Sequence, residues 1–215
     1  MIVNAVSFSD PVSILSIGKS GTITVNGTIT GTDNATVNLS ASPNTIFLNS
    51  DIVTAGQAIT LDNGLGGDTA IVLGANVSLD TTSSNAFPAG ANVTLRGPVD
   101  SDSTARSLNL NGGASGSVLV TNTIGGTNGL SSLTINGSNV DLANIGDVDT
   151  LGVTGGTTVN ATGVTFNGTT YKTDGFQSYT ATNLNAAATS GTTAFSTTGD
   201  NLSFFTTNQL TLNGA

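Results

Sequence analysis

Val93-Thr94-Leu95-Arg96-Gly97, Leu108-Asn109-Leu110-Asn111-Gly112 and Leu133-Thr134-Ile135-Asn136-Gly137 are three copies of one short pattern. Apolar and polar residues alternate, and a glycine closes each copy. Strict alternation over three to five residues is the period-two signature of a strand with one buried face. The Asn-Gly that often follows reads as a corner, where positive φ costs glycine little. The pattern extends outward in both directions. Ile23-Thr24-Val25-Asn26-Gly27 and Ile59-Thr60-Leu61-Asp62-Asn63-Gly64 precede these copies, and Val164-Thr165-Phe166-Asn167-Gly168 and Leu210-Thr211-Leu212-Asn213-Gly214 follow them. Looser copies such as Val37-Asn38-Leu39, Ile71-Val72-Leu73 and Val140-Asp141-Leu142 fill the intervals.

Strands starting roughly every 11 residues fit an all-β chain of short strands. Two architectures satisfy that rhythm: a β-sandwich of antiparallel hairpins, or a right-handed parallel β-helix (a β-solenoid) with irregular coils. Repetition favours the solenoid, because similar strands and similar corners stack in register when each coil lies on the last. The expectation is a single solenoid over 1–215, with residues 1–20 as a candidate N-terminal cap and 166–215 as aromatic-richer coils. Val25, Leu61, Leu95, Leu110, Ile135, Phe166 and Leu212 should point inward, and Thr24, Thr60, Thr94 and Thr134 outward. Outside, ladders of Thr and Asn should recur from layer to layer. Thr81 to Gly90 and Gly112 to Ser117 read as surface loops. At about 4.8 Å per coil, the stack should span roughly 45 Å.

Composition agrees with this reading and excludes much else. Charged residues are 8% of the 215, about a third of the usual share. All 13 acidic residues are Asp, and Glu, Lys and Arg together number four, so the usual occupants of helix surfaces are nearly missing. The net charge is −9, and the cations Lys19, Arg96, Arg106 and Lys172 are scattered. Such a chain offers no basic face for nucleic acid or for an anionic membrane surface. No run of 18 apolar residues suggests a membrane helix. Met1 to Val6 lacks the basic start of a signal peptide, so an export signal would lie upstream or have been removed.

His, Cys and Glu are absent, which rules out the usual triads, thiolate sites, common zinc sites and paired-Glu arrangements. Close carboxylates remain at Asp100-Ser101-Asp102 and Asp147-Val148-Asp149. They read as solvated turn residues, with an acid–base pair of a polysaccharide-cleaving enzyme as the rival. Asn63-Gly64-Leu65-Gly66-Gly67-Asp68-Thr69-Ala70-Ile71 is partly like a calcium-binding glycine repeat, and reads as a Gly-rich corner. Thr22-Ile23-Thr24 and Thr28-Ile29-Thr30 raise an ice-binding face, which would need a regular Thr array. Phe166, Tyr171, Phe176, Tyr179, Phe195, Phe204 and Phe205 crowd the last quarter of the chain. They read as ring packing inside a wider coil, with an aromatic binding platform as the alternative. No catalytic, cofactor-binding or metal-ligating residue is assigned, no cofactor is expected, and the chain reads as a non-enzyme.

The stretch from about Gly90 to Gly214 resembles the β-strand repeats of large bacterial exoproteins related to filamentous haemagglutinin and autotransporter passengers. The resemblance is carried by Ala91-Asn92-Val93-Thr94-Leu95, Val99-Asp100-Ser101 and Ala105-Arg106-Ser107-Leu108-Asn109-Leu110. Thr123 to Thr134, Gln177-Ser178-Tyr179 and Asn201-Leu202-Ser203-Phe204 continue it. It implies a parallel β-helix, export across the outer membrane, and a role as a surface adhesin or filament at the extracellular cell surface. Neither a two-partner secretion signature nor a membrane β-barrel is recognisable. The expected partners are sister subunits or adjacent repeats stacked end to end, and surface glycans; neither nucleic acid binding nor membrane insertion is expected. The motif at Leu210 to Gly214 carries no cap, so the last coil is expected to be exposed for a continuing chain or for another subunit.

Overall fold

The structure is a computed structural model that describes residues 1–9, 14–18, 20–41, 44–62 and 69–212. Among these residues there is no helix, and the chain winds into a parallel β-solenoid of about 8 turns. Every strand pairing among them is parallel. A sandwich of hairpins is therefore excluded. A lone antiparallel bridge, Ala55 to Thr82, ties a loop to a corner.

Three columns of stacked strands line the interior. The first runs through Ile23, Ile46, Ile71, Val99, Ile124, Ile145, Tyr171 and Phe195, so along this column one coil takes between 21 and 28 residues. The second runs Ile29, Ile52, Leu79, Leu110, Ile135, Val159, Tyr179. The third runs Leu39, Leu61, Leu95, Val120, Leu142, Phe166, Ala186. Register is fixed because a slip of one residue would turn each of these apolar side chains out to water. At about 4.8 Å per rung the stack is on the order of 40 Å long. Residues 2–18 supply three strands, Ile2–Val3, Val6–Ser9 and Ile14–Gly18, each paired in register with the following coil.

Val25, Leu61, Leu95, Leu110, Ile135 and Phe166 are buried, as the alternation predicts. The side chain of Leu212 lies outside the described residues. Thr24, Thr60, Thr94 and Thr134 sit on the outer side of their strands, half-buried by neighbours. The outer columns are not uniform ladders, however. Thr24 stacks on Phe47, and Thr30 on Val53. Only inward positions face one shared requirement; outward ones face water, which accepts many side chains. Asn ladders do occur between some coils. Asn49 Nδ2 donates to Asn26 Oδ1 (2.8 Å) and Asn160 Nδ2 to Asn136 Oδ1 (3.2 Å).

The corner glycines differ from expectation in their physical role. Gly97 and Gly168 are not in the positive-φ region. Glycine is required there because the neighbouring coil fills the space a Cβ would take. The Thr69 carbonyl oxygen occupies it at Gly97, and the Asn144 Oδ1 at Gly168. The same Asn144 Oδ1 accepts from the N–H of Thr169 (2.8 Å) and Thr170 (3.1 Å), so the Asn and the next coil's glycine form one corner joint.

The cross-section changes along the stack. In the early coils the second and third columns are separate strands joined by corners at 33–35, 55–58, 81–92 and 112–117. From Ser132 onward each coil spans both columns with one long bent strand: Ser132–Leu142, Thr157–Phe166, Gln177–Ala186 and Leu202–Leu212. The interior of these later coils is aromatic. Phe166 meets Tyr171, Tyr179 and Phe195 edge-on at 4.9–5.0 Å, and Tyr171 stacks on Phe195 at 4.8 Å.

Candidate functional site

The carboxylates singled out in the sequence are corner fittings. Asp100 Oδ1 accepts from the N–H groups of Thr127 (2.8 Å) and Asn128 (3.0 Å) on the next coil. Asp102 forms a forked pair with Arg106 (3.0 and 3.2 Å) and accepts from Thr104 N–H (2.8 Å). Those contacts, the guanidinium first, hold the Asp102 carboxyl below its ordinary value. Asp147 Oδ1 accepts from the N–H of Asp149 (2.8 Å) and of Thr150 (2.7 Å), which lowers its pKa likewise. Asp100 thus braces the next coil, Asp102 pairs with Arg106, and Asp147 closes its local turn. Among the described residues no three acidic side chains gather within reach of one metal ion. The glycine-rich corner Asn63 to Asp68 lies outside the described residues.

Two other places gather features that chemistry could use. The first is the open face of the last described coil. Among the described residues, strand Leu202–Leu212 pairs on one side only, with Gln177–Ala186. Phe166, Ala186, Thr193, Phe195, Phe204 and Leu210 surround an apolar cavity of about 290 Å³ at this end. Leu210 and Phe205 are 46% and 58% exposed. Of the seven C-terminal aromatics, Phe166, Tyr171 and Tyr179 are buried and Phe195 and Phe204 pack against them, while Phe176 and Phe205 stay outside. Burial pushes up the pKa of both tyrosines, and Tyr171 adds to the effect at Tyr179.

Both hydroxyls are satisfied inside. Tyr171 donates to the Leu142 carbonyl (2.9 Å) and Tyr179 to Gln177 Oε1 (2.8 Å). Gln177 Nε2 in turn donates to the carbonyls of Tyr171 (3.0 Å) and Ser196 (2.8 Å). The cluster is a core element that becomes a surface only where the stack opens.

The second place is a shelf on one edge of the solenoid, built by the corner at 81–92. The sequence marks this stretch as a loop but gives no sign of how firmly it is held. Asp80, next to its base, is buried. Its Oδ1 accepts from Thr82 N–H (2.8 Å), Thr82 Oγ1 (2.7 Å) and Asn111 Nδ2 (3.0 Å), and its Oδ2 accepts from Ser84 N–H (2.8 Å). Thr81, also buried, accepts from Ala91 N–H (2.9 Å), which closes the loop's two ends on each other. Comparison with protein-family models, with curated proteins and with solved structures finds no match.

Proposed function

We propose that this chain is a rigid rod segment of an exported bacterial surface adhesin or extracellular filament, extended by stacking one coil upon another at its open ends. The observation that carries the reading is the end face. A rung added to Leu202–Leu212 would satisfy its free backbone groups and cover Phe204, Leu210 and the cavity beside them. That strand carries no charged residue and no proline, though it bulges between Thr206 and Gln209. Edges that must not pair are commonly blunted with charge, proline or bulges, so only the bulge stands against pairing here. At the opposite end Ile2–Val3 and Val6–Ser9 also pair on one side only among the described residues, and Met1 and Ile2 are exposed.

The two edge strands run in the same direction, which fits a head-to-tail contact with a further coil or with a second copy; such a contact does not close and so extends the rod. The repeat resemblance and the sparsely charged flanks support an extracellular setting and weak, multivalent adhesion. Light scattering over a concentration series tests the reading. Mass should rise with concentration for the native chain and much less for Leu210→Asp. A native chain that stays monomeric throughout would overturn self-stacking.

A further inference from the structure

We propose that the cleft between the 81–92 loop and the corners of the two preceding coils binds a neutral sugar residue of a glycan. The cleft, about 650 Å³, is lined on one side by Ala86 to Gly90 and on the other by Asp33, Asn34 and Ala55 to Gln57. That volume lies within the ordinary range for small-molecule sites.

Single exposed apolar side chains are common and by themselves signify nothing. Phe87, 46% exposed, differs in how it is held. Ser83, Ser84 and Asn85 follow one another at φ 49°, 56° and 69°, a left-handed run that side-chain-bearing residues adopt only when their surroundings impose it. Here the surroundings do so from both sides. Gly56 N–H donates to the Thr81 carbonyl (2.7 Å), and Phe87 N–H to the Thr82 carbonyl (2.8 Å). From the following coil, Ala114 N–H donates to the Pro88 carbonyl (2.9 Å) and Ser115 N–H to the Ala89 carbonyl (2.7 Å). The Phe87 side chain rests over Gly56, within ordinary van der Waals distance of where a side chain there would begin. The backbone that carries the ring is therefore held from both sides, and the ring's base rests on Gly56.

Across the cleft, Gln57 Nε2 donates to Asn34 Oδ1 (3.1 Å). That bond orients both amides and leaves Gln57 Oε1 as an acceptor and Asn34 Nδ2 as a donor. Asp33, in the left-handed region at φ 58°, adds a carboxylate to the same wall. A flat apolar ring facing a donor and several acceptors matches a pyranose, which has an apolar C–H face and a rim of hydroxyls that both donate and accept. The lining holds one carboxylate and no cation, on a chain of net charge −9, so uncharged sugars are favoured over uronates.

Saturation-transfer NMR on the whole chain tests this, with maltotriose, cellotriose and trigalacturonate as probes. Transfer to at least one neutral trisaccharide is expected, with weaker transfer to trigalacturonate. Phe87→Leu keeps an apolar contact on Gly56 but removes the ring, and should weaken binding about tenfold. Phe205→Leu should leave binding unchanged. No transfer to either neutral probe, equal affinity in Phe87→Leu, or preference for trigalacturonate would each overturn the assignment. The cleft shares no residue with the end face. Leu210→Asp should therefore bind sugar as the native chain does, so failure of stacking and failure of sugar binding are separable.

Discussion

The coils from Ile23 to Val120 and those from Ser132 to Leu212 share one register but hold their interiors apart by different means. In the first region the inward positions are mostly Ile, Leu and Val, nearly or fully buried, with Thr54 and Ser101 as small polar exceptions. Aliphatic columns need only volume and periodicity, so any branched side chain of similar size will serve. In the second region, Thr157, Gln177, Tyr171 and Tyr179 take inward positions in the same columns, and the corners between the second and third columns vanish. Polar groups inside a stack must each find a partner. Gln177 and the tyrosines do, through the bonds described above. Thr157 Oγ1 is buried and finds none among the described residues. The difference teaches that one strand register accommodates two kinds of core, one tolerant and one exacting.

The largest test of that contrast substitutes matching columns. Phe166→Ala removes the ring at the centre of four aromatic contacts and should cost about 3–5 kcal/mol in urea denaturation. Leu95→Ala, in the same column of the aliphatic region, should cost less, toward the lower end of about 2–5 kcal/mol. Equal losses would mean that the aromatic centre is not a distinct core. Next in size come the polar positions. Tyr179→Phe leaves Gln177 Oε1 without its donor and should cost about 1–3 kcal/mol. Thr157→Val removes an orphan hydroxyl at constant shape and should stabilise by about 1 kcal/mol. A destabilising Thr157→Val would show that the hydroxyl has a role beyond filling space.

Smaller effects follow from pH. Tyr171 and Tyr179 are the only tyrosines in the chain, and burial raises both pKa values in the folded state. The stability they contribute is fully present below the ordinary tyrosine value of 10.0 and is lost as pH rises toward the folded values. Alkaline unfolding should therefore begin in the second region, seen as early loss of amide protection there. Asp102 and Asp147 shift the other way. Their contribution is present above the ordinary value of 3.8 and is lost as pH falls through the depressed folded values. Both carboxylates are in reach of water, so the acid effect should be the slighter of the two. An acid melt steeper than the alkaline one would reverse this ranking.

Most of the solenoid was legible because inward residues repeat a single physical demand. Alternation at Leu95, Leu110 and Ile135 was enough to identify the buried face, and reuse of one pentapeptide favoured stacking over hairpins. The glycine corners were recognised for the wrong reason, since at Gly97 and Gly168 the constraint comes from a neighbouring coil that no local pattern reveals. Uniform outer ladders were expected and are not found, because water does not select between Thr24 and Phe47 or between Thr30 and Val53. The shelf was legible only as a loop. Nothing in Thr81 to Gly90 announces that Asp80 clamps it from below or that Phe87 faces Asn34 and Gln57, residues some 30 to 53 positions earlier. Side-chain convergence across coils depends on coil length, and these coils vary.

The central claim, that the open ends are where this rod is extended, is tested most directly by amide hydrogen exchange as a function of protein concentration. Dilute protein should exchange rapidly along Leu202–Leu212 and along Ile2–Val3 and Val6–Ser9, with Leu95, Leu110 and Ile135 protected throughout. Raising the concentration should slow exchange at both ends together, as expected of head-to-tail pairing, and leave the middle coils unchanged. End strands that stay equally exposed at every concentration would contradict the account.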